Sequence, residues 1–174
     1  MNIGVSLRSR EEIEVHRFSW IASLLIPLLA LLIQSYLPLK MGFIRIFDFP
    51  LLVTIFFAVS RRRPVPGMIT GALIGTLQDA LTHHPLGIFG IAKTMVGYLA
   101  SSLGVKLDVD NPGSRFLMTF AFFIIHHIVY MVIDLGLVGA NDPWQWGKTL
   151  LQALANALLA VLLFSLLDRF KLRS

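Results

Sequence analysis

Cysteine is absent from this 174-residue chain, which excludes both a disulfide framework and a thiolate metal site. Charge is scarce too. Asp, Glu, Lys and Arg make up 14% of the residues against 56% hydrophobic ones, and the mean hydropathy is +0.74, far from a soluble average. No polar stretch is long enough for a soluble domain, and no A-x-A site follows the first apolar run, so a cleaved signal peptide is not expected. Catalytic signatures are missing as well: there is no G-x-S-x-G, no H-E-x-x-H, no phosphate-cradling loop and no G-x-G-D aspartate pair. The chain is therefore read as an integral membrane protein without enzymatic chemistry.

What is present is organised around apolar runs. A spanning helix needs roughly 20 mostly apolar residues. Six windows qualify, at 18–37, 43–60, 64–81, 86–105, 115–138 and 148–167. They are separated by Arg61-Arg62-Arg63-Pro64, a His83-His84-Pro85 turn, the polar segment from Lys106 to Arg115 and an Asn141-Asp142-Pro143 turn. This defines an N-terminal segment 1–17, a six-helix transmembrane domain 18–168 and a basic tail 169–174. In the first segment, Ser9-Arg10-Glu11-Glu12 has capping-box form and predicts a short helix.

The net charge of +5 could suggest nucleic acid, but the basic residues fall in short clusters between apolar runs. They report topology instead. With a cytoplasmic N-terminus, the inner segments hold Arg8, Arg10, Arg17, Arg61, Arg62, Arg63, Lys106, Arg115, Arg169, Lys171 and Arg173, while the outer ones hold Lys40, Arg45 and Lys148. An even number of spans then places both termini inside. Trp20 and Phe170 fall at the inner boundary and Tyr36, Trp144 and Trp146 at the outer one, where interfacial aromatics sit.

The third window carries Gly67, Gly71, Gly75 and Asp79 at steps of four. In a helix each such step drifts by only about 40°, so the four form one slowly winding strip that is bare until the aspartate. Small residues let transmembrane backbones approach closely where the hydrophobic effect no longer presses helices together. The fourth window presents Gly90, Lys93, Gly97, Ala100 and Gly104 at spacings of three and four, so the two helices are expected to pack antiparallel across these faces. Depth arithmetic at about 1.5 Å per residue puts Asp79 and Lys93 at nearly one level, which predicts that they pair; the alternative is that Lys93 snorkels outward and Asp79 caps a frayed helix end.

Histidine spacing does not favour a cofactor. His126-His127 and His83-His84 differ in depth by about 14 Å, too far apart to share a haem iron or zinc. His127, Tyr130 and Asp134 share a face and read as a polar stripe inside a bundle. Asp108-Val109-Asp110-Asn111 begins like a calcium loop but lacks the later glycine and glutamate, so it reads as a polar loop. No cofactor or metal is expected.

Residues 61–104, RRRPVPGMITGALIGTLQDALTHHPLGIFGIAKTMVGYLASSLG, resemble the MreD family of rod-shape-determining membrane proteins. Gly71, Gly75, Asp79, Leu86, Gly87 and Tyr98 fall on its pattern, and the Asp48-Phe49-Pro50-Leu51-Leu52 entry to the second helix and Asn156 in the sixth are also similar to family usage; Lys93 and His83-His84 are not part of it. The resemblance implies a six-helix protein of the bacterial inner membrane without catalytic chemistry. It further implies a scaffold that binds the single-span protein MreC in the complex organising lateral peptidoglycan synthesis, near a glycosyltransferase and transpeptidase pair and actin-like filaments. The family's fold is similar to that of the S-components of energy-coupling-factor vitamin transporters. A substrate-binding subunit of such a transporter is therefore the alternative, although residues 18–37 carry only Ser19-x3-Ser23 where an A-x3-A coupling pattern is expected. The residues expected to pack or interact are Gly67, Gly71, Gly75, Asp79, Leu86, Gly87, Lys93, Gly97 and Tyr98. Arg61 to Arg63 form a basic cytoplasmic loop that follows the positive-inside bias, with docking of anionic lipid or a partner as the alternative.

Overall fold

The computed structural model describes residues 17–82, 85–105, 107–139 and 145–172. The expected helix at Ser9 to Glu12, the His83-His84 turn, Lys106, the Asn141-Asp142-Pro143 turn and Trp144 lie outside the described residues.

Among the described residues the fold has six α-helices: α1 (Trp20–Lys40), α2 (Phe49–Arg61), α3 (Pro64–Thr82), α4 (Ile88–Leu103), α5 (Pro112–Ile133) and α6 (Trp146–Leu167). A two-residue antiparallel pairing joins β1 (Arg17–Phe18) to β2 (Lys171–Leu172), so the start of α1 and the end of α6 lie at one end of the bundle. Among the described residues, three segments have the length and hydropathy to cross a membrane, Trp20–Lys40, Pro112–Leu137 and Trp146–Phe170. The chain is a helical membrane protein. α2 and α4 are shorter apolar helices.

The second element departs from its expected bounds. Instead of a helix over 43–60, residues Gly42–Ile46 form a 3-10 turn and α2 begins only at Phe49. Asp48 is the reason: its side chain caps the Leu51 N–H at 2.9 Å, and Pro50 occupies the first turn, where its missing N–H costs nothing. At about 1.5 Å per residue the 13 residues of α2 run only about 20 Å. Every residue from Pro50 to Ser60 is buried, so protein surrounds this helix and its length need not match a lipid core. Phe56 and Phe57 anchor it, packing edge-on against each other and against Phe18, while Phe164 of α6 closes on Phe56.

The outer helices show the converse. α1 buries only Ala30 and Leu31 and presents a long apolar surface outward. Trp20 and Phe170 are exposed at the end that carries β1 and β2, and Tyr36 and Trp146 are exposed on the opposite ends of α1 and α6. α5 continues into a single π-helical stretch, Asp134–Val138, that stops at Gly139.

Candidate functional site

α3 and α4 share the most extensive contact in the molecule, and the glycine strip is where they meet. A Cβ added to Gly71 would fall on the Lys93 carbonyl, 2.6 Å from its carbon and 3.0 Å from the Thr94 nitrogen. One step along, a Cβ on Gly75 would lie 2.6 Å from the Phe89 carbonyl carbon and 2.7 Å from the Gly90 Cα. In the other direction Gly67 faces the Gly97 carbonyl and Ser101. The partners climb one helix by four as they descend the other by four, so the crossing is antiparallel and backbone touches backbone. No side chain larger than hydrogen fits between them.

Asp79 continues this register but does not pair with Lys93. Fully buried, its carboxylate accepts three backbone N–H groups at the start of α4, from Gly87 at 2.9 Å, Phe89 at 3.1 Å and Gly90 at 3.2 Å. These are the donors that a helix start leaves without intrahelical partners, and a negative charge there complements the helix dipole. Gly87 makes the arrangement possible with φ +106°, a left-handed conformation that would strain any other residue. The expected Asp79–Lys93 pair is thus corrected, because equal depth does not make equal direction. Lys93 turns its backbone to α3 and sends its side chain the other way.

That side chain enters a second polar cluster. Lys93 Nζ, fully buried, donates to Asp48 Oδ2 at 2.8 Å and lies 3.2 Å from His126 Nε2 and 4.8 Å from the centre of the Phe89 ring. An ammonium has only donors, so His126 Nε2 acts as acceptor and the ring proton is assigned to Nδ1. Phe89 stacks on His126 and on Tyr130 of α5. The Asp48 N–H donates to Asn156 Oδ1 at 2.9 Å, and the Asn156 amide returns two bonds, to the Ile46 carbonyl at 2.9 Å and the Gln152 carbonyl at 2.8 Å. Gln34 of α1 accepts the Phe49 N–H at 3.1 Å. The start of α2 is therefore pinned by side chains from α1, α4 and α6, with α5 touching the ammonium. Each group buried here spends its hydrogen bonds on protein, which is what apolar surroundings demand.

Asp48 as the lysine's partner, and Gln34 and His126 as members of the cluster, were not anticipated from spacing. Asp48-Phe49-Pro50 carries the signal, an N-cap followed by proline. The polar stripe on α5 also divides differently from expectation: His126 is the buried member, whereas half-buried His127 contacts Thr149 Oγ1 of α6 at 3.0 Å. A cavity of about 330 Å³ lies beside that contact, lined by Tyr130, Lys148 and Gln152 among others.

The remaining expected residues separate by exposure. Leu86 and Tyr98 are exposed and take no part in the α3–α4 seam, Leu86 because it stands in the turn before α4 and Tyr98 because it points away from neighbouring Gly97. At the end of α2, Arg61 donates to Ser23 Oγ at 2.9 Å and stacks over Phe57 at 5.1 Å, Arg62 adopts a left-handed cap at φ 52°, and Arg63 is exposed. The Asp108–Asp110 loop is held by Arg115, which donates to the Val109 carbonyl at 2.7 Å and pairs with Asp110 at 3.3 Å and Asp168 at 2.5 Å. Among the described residues no group of three His, Asp or Glu could hold a metal ion.

A small-residue seam, the buried Lys93–Asp48 ion pair and outward apolar faces define a helical membrane protein whose inner polar groups hold the bundle together. The family model described as rod shape-determining protein MreD matches residues 15–170, nearly the whole chain. The chain belongs to the MreD family of rod shape-determining proteins. Neither a search of curated proteins nor one of solved structures finds a match.

Proposed function

We propose that the protein is a non-catalytic scaffold of the cell-elongation complex, crossing the bacterial inner membrane six times with both termini in the cytoplasm. In this reading residues 1–17 and 169–174 are the cytoplasmic ends of one transmembrane domain, and the fold is that of the vitamin-transporter S-components. The scaffold binds an MreC-type single-span protein and helps to organise lateral peptidoglycan synthesis, in proximity to the glycosyltransferase and transpeptidase pair and the actin-like filaments. Family membership supports the process. The observation that carries the mechanism is the polar cluster around Lys93, Asp48 and Asn156, whose bonds are internal to the bundle. Recognition then falls to the outward apolar faces, where close packing and not the hydrophobic effect gives specificity in lipid. Gly67, Gly71, Gly75, Asp79, Gly87, Lys93 and Gly97 shape those faces from within, and Leu86, Tyr98 and Arg61 to Arg63 contribute at the surface.

Depletion with imaging of cell shape tests the reading: rods are expected to round up, and co-purification with the MreC-type partner is expected to fail for a Gly71→Leu variant. Cells that remain rods after depletion would overturn it. A second reading, capture of a small ligand by a transporter subunit, is favoured by the polar cavity beside His127 and Lys148. Retention of a vitamin-like molecule by the purified protein, lost on Gln152→Leu substitution, would establish that reading instead.

A further inference from the structure

A groove of about 520 Å³ runs between α1 and α3, apolar along its length and basic at one end. Leu24, Leu28 and Leu31 line one wall, and Leu73 and Leu77 line the other. On α3 it extends from Pro66 to Leu77, eleven helical steps or about 16 Å. Arg61 lines the end where Ser23 and Pro66 lie. Its Nη2 is held by the Ser23 hydroxyl, which fixes the guanidinium at the mouth, and it forms no ion pair with any described carboxylate. Arg62 and Arg63 follow immediately, and Arg62 Nε is a buried donor without a hydrogen-bond partner among the described residues.

We propose that this groove binds one anionic glycerophospholipid of the adjacent leaflet, with an acyl chain between α1 and α3 and the phosphate on Arg61. The charge and the shape agree on this occupant. Three consecutive arginines with a fixed guanidinium at the mouth call for an anion, and a planar fork matches phosphate oxygens in pairs. Beyond the mouth the walls are aliphatic, as an alkyl chain requires. A transmembrane helix of a partner is the less suitable occupant, since it would have to bring an acidic residue to Arg61 at the membrane edge, whereas a lipid carries its anion at that level by construction. The site is independent of the scaffold reading and would serve a transporter subunit equally.

The test uses the purified full chain in detergent, with native mass spectrometry and thermal unfolding while phosphatidylglycerol or phosphatidylcholine is titrated in. Retention of phosphatidylglycerol is expected at about fivefold lower concentration than phosphatidylcholine, the preference that one arginine at an anionic headgroup supplies. Arg61→Gln is expected to abolish the preference, Arg61→Lys to keep most of it, and Leu73→Trp to block both lipids by filling the groove. Arg45→Gln, a basic residue in the turn after α1, controls for general charge and is expected to change nothing. Equal retention of the two lipids, or an Arg61→Gln protein that still prefers phosphatidylglycerol, would overturn the proposal. So would a photocrosslinker at Leu73 that captures a partner helix and not lipid.

Discussion

A methyl group at position 71 is the sharpest available test of the helix seam. In a free helix Gly→Ala gains about 0.8–1.0 kcal/mol, so the prior for the substitution is stabilisation. Here the methyl carbon would sit 2.6 Å from the Lys93 carbonyl carbon and 3.0 Å from the Thr94 nitrogen, where ordinary contact requires about 3.5–4.0 Å. The obstacle is backbone, with no rotamer to move aside, so α3 and α4 must part by roughly 1 Å or more, forfeiting a quarter to a half of the dispersion well along the seam. Overpacking of this kind costs about 1–3 kcal/mol, and after the propensity gain a net loss of about 1–2 kcal/mol remains. Gly147 on α6 is the matched control, because a Cβ there meets nothing within 4 Å, and Gly147→Ala is expected to be neutral or slightly stabilising. Reversible unfolding in mixed micelles, followed by tryptophan fluorescence, measures both. Gly75→Ala should behave like Gly71→Ala, and the double variant should cost less than the sum, since helices already parted leave room for the second methyl. If Gly71→Ala and Gly147→Ala shift stability alike, the close approach of the two backbones does not exist and the reasoning is refuted.

The other predictions concern the polar pins. Asp79→Ala removes acceptors from three N–H groups at once and should cost at least the ~0.5–2 kcal/mol of an ordinary cap, with faster amide exchange at Gly87, Phe89 and Gly90 as the local readout. Lys93→Met leaves Asp48 without its counter-charge and should destabilise by about 3–5 kcal/mol, the usual cost of breaking a buried pair from one side. In double-mutant cycles Lys93→Met should couple strongly to Asp48→Asn and by no more than about 0.5 kcal/mol to Asp79→Asn; the reverse ranking would contradict the assignment. Arg115→Met removes the bond to the Val109 carbonyl and the ion pair with Asp168, so limited proteolysis between Leu107 and Asn111 should accelerate while the α3–α4 seam keeps its stability.

Comparison of α2 with α3 shows what sequence made legible. Glycines four apart report a helix face directly, because the period of the helix is local and lipid offers few other reasons for a bare strip. The meeting of that strip with Gly97 and the Lys93 backbone follows from the antiparallel hairpin. α2 was harder. Its apolar run continues upstream through Ile44, Ile46 and Phe47, so hydropathy alone extends the helix to 43–60 and encloses Asp48, even though Asp48-Phe49-Pro50-Leu51-Leu52 reads as the entry to this helix. The lysine's partner was lost by the same step. Rise per residue yields depth to within a turn, but it carries no information about which of five neighbours a side chain turns towards, and Asp48 lies 45 residues from Lys93. His126 and Asn156 likewise became members of the cluster only through the packing of α5 and α6 around α2.

The two kinds of contact divide the labour of specifying the bundle. A glycine strip with a step of four is degenerate: sliding α3 past α4 by four residues, about 6 Å, would again set small residues against backbone over much of the length. Close packing therefore sets the distance between the helices but discriminates weakly among registers. Asp79 removes the degeneracy, since only one register brings its carboxylate to the N–H groups of Gly87, Phe89 and Gly90. Lys93 then fixes the rotation of α4 about its own axis, because the ammonium must reach Asp48 while the opposite side faces Gly71. Each polar pin is costly to leave unmade in apolar surroundings, so a wrong register is penalised by at least one buried charge without a partner. Buried charge here serves chiefly to select one arrangement, a role best attested where a single polar residue sets helix register. The bundle presented to lipid and partners is thereby held to a single outer shape.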